Sequence, residues 1–203
     1  KDEAIFNILR EYIKKSKAIL FEGNGYGESW KKEAKKRGLS NNKNTPNALK
    51  VKIDPKTIEL YKCLNVMNKI EIEARYEIEL EEYIHRIQIE GRVLGDIARN
   101  HIIPTAVKYQ NILINNVRGL KDIYGKEFNK YASEQLILIS DISKYIEAIN
   151  SEVTNMTDER KKANIIEEST KKAQAYCNKV KPLFDKIRYS CDKLELLIDD
   201  ELW

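Results

Sequence analysis

The sequence predicts a mainly α fold: long kinked antiparallel helices forming a helical bundle, behind a small mixed N-terminal segment. Three observations lead there. Only 8 Gly and 4 Pro interrupt 203 residues, too few breakers for the many tight turns of a sheet-rich protein. Apolar residues recur at threes and fours over most of the chain, the period of a helix with one buried face. Finally, 42% hydrophobic and 33% charged residues suit a packed helical protein with solvated outer faces.

Taken in order, Ala4, Ile5, Ile8, Leu9, Tyr12 and Ile13 place one apolar face on a first helix. Ala18-Ile19-Leu20-Phe21 reads as a short strand, stopped by Gly23-Asn24-Gly25-Tyr26-Gly27. A basic helix follows from about Ser29 to Arg37, with Gly38 placed to cap its C-terminus. Residues 39–47 are Asn-rich and loop-like. Thr45-Pro46 and Asp54-Pro55 each read as an N-cap followed by proline at the first helical position.

From about Val66 one helical run dominates. Ile70, Ala74, Ile78, Ile84, Ile87, Gly91, Leu94, Ala98, Ile102, Tyr109 and Ile112 form its main stripe, and a second one, Ile72, Tyr76, Tyr83 and again Ile87, widens the apolar face. Some fifty residues of helix would span about 75 Å. Pro104 lacks an N–H and clashes with the carbonyl of Asn100, so a kink is expected there. The run should end near Gly119 or Gly125.

A second helix follows, with Phe128, Ala132, Leu136, Ile139, Ile142, Ile146, Ile149, Val153 and Met156 inward; its run Leu136–Ile139 is apolar all round and expected to be buried on more than one side. A polar turn is expected near Thr154–Asp158. A third run carries Ala163, Ile166, Ala173, Cys177, Val180, Phe184, Ile187, Cys191, Leu194 and Ile198, bent at Pro182. The second and third helices can cover only the later part of the first. Its early part, rich in Glu71, Glu73, Glu77, Glu79, Glu81 and Glu82, must pack on the N-terminal quarter or on another chain.

Charge and cysteine content narrow the classes. The net charge of +4 arises from 36 basic and 32 acidic residues, too even to mark a nucleic-acid binder. Lys31, Lys32, Lys35, Lys36 and Arg37 form a basic helix face of the solvated kind. No apolar stretch reaches 18 residues, so no membrane span is expected, and no signal peptide is seen. Cys63, Cys177 and Cys191 are odd in number, lack CxxC spacing, and read as reduced core thiols of a cytoplasmic protein.

Candidate chemistry is sparse. The glycine loop at 23–27 invites a phosphate-loop reading, but its spacing is neither GxGxxG nor GxxxxGK[ST]; a tight turn requiring positive φ accounts for it better. Glu82-x-x-His85 has the spacing of di-iron bundles, yet the motif is not repeated, and His85 reads as a surface residue. Asn100 and His101 could satisfy backbone groups freed at the kink; an intersubunit contact is the other reading of Arg99-Asn100-His101. Gly91, Gly95 and Ala98 let a second helix approach closely along one face. No Ser-His-Asp or Cys-His arrangement exists. Catalytic, cofactor-binding and metal-ligating residues are accordingly assigned to none of the 203 positions.

Four stretches carry a specific resemblance: KAILFEGNGYGESWKKEAKKRGLSN (17–41), NVMNKIEIEARYEIELEEY (65–83), IQIEGRVLGDIARNHIIPTAVKYQNILINNVRGLKDIYG (87–125) and AYCNKVKPLFDKIRYSCDKLELLIDDELW (175–203). Together they resemble the C-terminal part of type III glutamine synthetases, the large bacterial form of the enzyme. Thr45-Pro46-Asn47-Ala48-Leu49 and the Glu-rich run ending at Tyr83 are similar to the last helices of glutamine synthetases in general. The resemblance implies a cytoplasmic parent of glutamine biosynthesis that joins ammonia to glutamate with ATP and Mg or Mn, through γ-glutamyl phosphate. It implies that the metal carboxylates, ATP site and phosphate-binding arginines lie upstream, so this stretch holds no cofactor itself.

The expected organisation is residues 1–65 as the tail of the catalytic domain and 66–203 as the helical bundle of the type III enzyme. Expected partners are the rest of the catalytic barrel and other subunits of a homo-oligomeric ring, with neither nucleic acid nor membrane. Because the catalytic motifs are missing, this stretch alone is expected to be inactive and its role structural, supporting the oligomer. An independent helical interaction or regulatory module is the alternative.

Overall fold

The structure is a computed structural model that describes residues 2–203. It is mainly α, with no strand among the described residues. Two compact units arise, one ending at Lys43 and the other spanning Asn44–Trp203.

The first unit holds α1 (Asp2–Ser16), a 3-10 turn at Lys17–Ile19, and α2 (Glu28–Lys36). Helix α1 forms as its apolar spacing predicts, yet buries none of its residues. The strand expected at Ala18–Phe21 does not form. A strand needs a partner ladder, and here Arg37 takes the role instead: its guanidinium donates to the carbonyls of Ala18 (3.2 Å) and Leu20 (3.1 Å). The same side chain donates to Glu33 (2.8 Å) and lies 5.9 Å from the centre of the Trp30 ring, which contacts Phe21 at 4.7 Å. Gly38 (φ 76°) closes α2 with two bonds, Leu39 N to Ala34 O and Gly38 N to Lys35 O, the paired pattern that satisfies the last carbonyls of a helix.

The second unit begins with two short helices, α3 (Thr45–Lys50) and α4 (Pro55–Cys63), joined by a 3-10 turn at Val51–Ile53. Asp54 caps α4 as expected, accepting from Lys56 N at 2.9 Å. The cap of α3 is Asn44 rather than Thr45; its side chain accepts from Asn47 N, moving Pro46 inside the first turn. Both prolines still stand where no intrahelical donor is missed. Helix α5 (Lys69–Ile97) opens on a capping box: Asn68 accepts from Glu71 N (3.0 Å) and its own N–H donates to the Glu71 carboxylate (2.8 Å).

The long run is real, but it is not bent by proline alone. Helix α5 passes through a π turn at Ala98–Ile102 into α6 (Ile103–Tyr124). There the Ile103 amide reaches the carbonyl of Ala98, five residues back. The same device recurs in the last run, where α8 (Ser169–Ala175) meets α9 (Lys181–Glu195) through a π turn at Tyr176–Val180. Pro104 and Pro182 each follow such a turn by two residues. A proline ring collides with the carbonyl four residues earlier, and widening the preceding turn by one residue moves that carbonyl aside.

Helix α7 (Phe128–Asn164) runs unbroken for 37 residues, so the turn expected at Thr154–Asp158 does not exist. Polar composition is not itself a breaker. Thr154 and Thr157 return their hydroxyls to the carbonyls of Asn150 and Val153 at 2.8 Å, Met156 is buried between them, and no Gly or Pro occurs from Lys126 to Lys181. The real break follows Asn164.

The core lies where α5, α7 and α9 meet. Leu80, Ile142, Ile149, Tyr176, Ile187 and Leu194 are all fully buried. The buried face of α5 is Ile72, Tyr76, Leu80, Ile84, Ile87 and Gly91: it begins on the second stripe with Ile72 and Tyr76, passes through Leu80, which neither stripe includes, and continues on the main stripe. Ile70 and Ile78, placed on the main stripe, are exposed; they stand two residues, about 200°, around the helix from the seam. Leu136 and Ile137 are exposed too, contrary to the expectation for that apolar run. The acidic early part of α5 is covered by α3, α4 and their connecting turn, with an ion pair from Lys52 to Glu79.

Gly91, Gly95 and Ala98 do face a crossing helix. A β-carbon on Gly91 would stand 3.2 and 3.3 Å from the Phe184 ring, whereas on Gly95 it would meet Met156 Cε and Val153 Cγ1 at an ordinary 3.4 Å. Replacing a mid-helix Gly by Ala gains up to about 1 kcal/mol from propensity, and overpacking costs about 1–3 kcal/mol. Gly95→Ala is therefore expected to stabilise by roughly 0.5–1 kcal/mol and Gly91→Ala to destabilise by about 1 kcal/mol. Urea unfolding midpoints of the two variants check this; the reverse order would contradict the packing described.

Candidate functional site

The glycine loop offers little to a phosphate. Its amides are already engaged: Tyr26 N donates to the Asn24 side chain (2.9 Å) and Gly27 N to the Asn24 carbonyl (3.0 Å). A tight turn is formed, but none of Gly23, Gly25 or Gly27 has positive φ, because Asn24 builds the turn by itself. Gly23 is needed for space, since a β-carbon there would lie 2.6 Å from the Phe21 ring. Beside the loop an open cleft of about 740 Å³ is lined by Tyr26, Trp30, Lys31, Lys32, Lys35 and Lys43.

A second cleft, about 280 Å³, lies along the seam of α5 and α7. Gly91 and Gly95 leave its space open, and Val153 and Met156 line it with them. Arg92, Asp96 and Arg99 from α5 and the π turn, and Thr157 and Arg160 from α7, supply its polar lining. Arg99 Nη2 donates to Thr154 Oγ1 at 2.7 Å and reaches Asn150 O at 3.5 Å. Asp96, the one carboxylate in the lining, accepts from the Asn100 amide at 2.5 Å. Burial pushes the Tyr176 hydroxyl above its ordinary range, and the Arg160 and Arg92 charges pull against that rise.

The sequence singled out Arg99-Asn100-His101, and the structure gives the three different roles. Arg99 bridges to α7, Asn100 holds Asp96, and His101 is exposed. Neither Asn100 nor His101 satisfies a kink carbonyl; the wider hydrogen-bond register of the π turn does that. Arg92 and Arg160 were missed. A sequence signal existed for the first: Arg92, Asp96 and Arg99 are spaced at i, i+4 and i+7, on one helical face.

Glu82 and His85 are both exposed, and among the described residues no three His, Cys, Asp or Glu side chains are grouped to hold a metal ion. Cys191 is buried, which pushes its thiol up to about 11. Cys63 is exposed rather than buried as expected; its thiol donates to Glu59 (3.4 Å), and that bond raises its pKa. Its position on α4 falls on the outer face because the short helix turns its other side toward α5. Among the described residues no helix is long and apolar enough to cross a membrane.

Apolar side chains without a partner are the most prominent feature left. On α1, Ile5, Phe6, Ile8, Leu9, Tyr12 and Ile13 are all exposed. Toward the tip of the α6–α7 hairpin no residue between Leu113 and Ala132 is buried; Tyr124 and Tyr131 stack there at 4.1 Å, with Ile112, Ile123 and Ile137 exposed.

Comparison with known proteins identifies this arrangement. The family model of the glutamine synthetase C-terminal domain matches residues 4–121. Across the whole chain, a glutamine synthetase of Bacteroides fragilis is 45% identical over 204 residues. One from Butyrivibrio fibrisolvens is 28% identical over 98% of the chain, and a type-3 glutamine synthetase of Dictyostelium discoideum is 26% identical over all of it. In each case the chain spans 28% of the relative's length. With more than half its residues inside that model, including α2 through α5 and most of α1 and α6, the chain belongs to the glutamine synthetase C-terminal domain family.

Proposed function

We propose that this chain is the structural C-terminal part of a cytoplasmic glutamate–ammonia ligase of type III, supporting the subunit and its homo-oligomeric ring. In this reading the enzyme joins ammonia to glutamate with ATP and Mg or Mn, in nitrogen assimilation, and its catalytic carboxylates and arginines lie in the part that precedes Lys1. The donor sets present here do not fit a nucleotide-bound metal: grouped carboxylates are lacking among the described residues, and the loop amides of Tyr26 and Gly27 are taken. No step of the reaction is assigned to these residues.

The observation that carries the reading is α1. Its six large apolar side chains are exposed on this chain, and each is worth about 1.5–3 kcal/mol when buried. A helix that leaves so much unburied needs a covering surface, and the relatives are far longer than this chain.

Two measurements test it. The intact protein is expected to release phosphate from ATP only when glutamate and ammonia are both present. The 203-residue chain, checked for helical circular dichroism, is expected to give no heat when Mg-ATP is titrated into it. Heat of one-site binding by that chain would overturn the assignment of the nucleotide site upstream.

A further inference from the structure

We infer that the cleft on the α5–α7 seam is a binding site for a phosphate-class oxyanion, either free phosphate or the phosphoryl group of a small metabolite. Three arginines line it, Arg92, Arg99 and Arg160, against one carboxylate, Asp96. That carboxylate is already held by Asn100 at 2.5 Å. None of the three guanidinium groups is ion-paired, although ten ion pairs form elsewhere among the described residues.

The local structure explains why the charges collect here. Gly91 and Gly95 have no side chains to fill the seam, so a space of about 280 Å³ remains beside Met156 and Val153. The π turn at Ala98–Ile102 then resets the register of the helix by one residue, bringing Arg99 against α7, where it donates to Thr154. Wide turns of this kind are frequent at functional sites. Arg160 approaches from α7 and Arg92 from one and a half to two turns earlier on α5. A guanidinium is a planar fork of donors that matches oxyanions in pairs; Arg99 already spends Nη2 on Thr154, so the open forks are those of Arg92 and Arg160. One fork is enough for a planar carboxylate. Two open forks, with the remaining donors of Arg99, around a small space suit an anion whose charge is spread over oxygens pointing apart, as in a phosphate.

The site is small beside most metabolite pockets, which limits the ligand to the phosphoryl group and a few atoms more. Its position, between the helix that begins beside α3 and α4 and the hairpin of α6 and α7, would tie α5 to α7 when occupied.

Equilibrium dialysis of the intact protein at fixed ionic strength tests the assignment, using inorganic phosphate, glycerol 3-phosphate and acetate as probes. Wild type is expected to bind one more phosphate per chain than Arg92→Gln/Arg160→Gln, so any phosphate site elsewhere in the enzyme cancels in the difference. Binding of inorganic phosphate alone at that site identifies the free ion; competition by glycerol 3-phosphate identifies a phosphoryl metabolite. Acetate competing equally well would overturn the phosphate assignment, and so would equal stoichiometry in the two proteins. Asp96→Asn guards against a variant that merely misfolds. Removing the one opposing charge is expected to tighten binding about threefold or more, and unchanged or weaker binding contradicts the site. This outcome is independent of whether the chain supports the oligomer.

Discussion

Tyr176→Ala is expected to destabilise the bundle by about 3–5 kcal/mol, a large share of the roughly 5–15 kcal/mol that holds a typical domain folded. The ring is fully buried at the π turn between α8 and α9, and its hydroxyl donates to Asn164 Oδ1 at 2.5 Å. Alanine would leave a cavity the size of the ring and remove the bond that secures the end of α7. Tyr176→Phe separates the two effects. It keeps the packing and loses one hydrogen bond, so about 1 kcal/mol is expected; Asn164 retains a longer bond from Gln88 (3.4 Å). Urea unfolding of both variants gives the ratio. A phenylalanine variant as damaging as the alanine one would show that the hydroxyl, and not the ring, holds this corner.

The corner also shows what was legible in the sequence. Ala173, Val180, Phe184, Ile187, Cys191 and Leu194 were placed inward by period alone, and all are buried or half-buried. Tyr176 was not among them, because a π turn shifts the period by one residue within the very stretch that contains it. Arg160 stands on a different helix, α7, so no period along α5 marks it as a neighbour of Arg92 and Arg99. Periodicity assumes one register; a wide turn breaks that assumption without any Gly or Pro at the point of the break.

Other misreadings have other causes. The period places Ile70 and Ile78 in the core because α5 is apolar on two faces and spacing alone does not rank them. Leu80 settles it after the fact, lying four residues from both Tyr76 and Ile84. The turn expected at Thr154–Asp158 was read from polar composition, yet threonines can return their hydroxyls to the helix, as Thr154 and Thr157 do. The strand at Ala18–Phe21 was read from four apolar residues; nothing in the sequence marks Arg37, seventeen residues on, as the group that would take their carbonyls. Gly91, Gly95 and Ala98 were read correctly because absence of a side chain has one common consequence on a helix face: another helix comes close. The resemblance to type III glutamine synthetases is borne out by the family and the relatives, whereas fold reasoning alone reached a bundle.

Beside the open face of α1, the proposed support of a homo-oligomer draws on the apolar surface that the bundle leaves open. Ile112, Ile123 and Ile137 at the α6–α7 hairpin, with the stacked Tyr124 and Tyr131, would contribute about 1.5–3 kcal/mol each if buried. Association costs an estimated 4–15 kcal/mol, so three to five such side chains per subunit suffice to decide it. Charging the face without touching the core, as in Ile123→Glu/Ile137→Glu, is expected to weaken assembly while leaving the unfolding midpoint of the bundle unchanged. The most direct measurement is the mass of the intact protein by size-exclusion chromatography with light scattering, before and after deletion of residues 85–203. The expected result is a shift from the ring to smaller species, matched in part by the double-glutamate variant. An assembly of unchanged mass in both would contradict the structural role proposed for this chain.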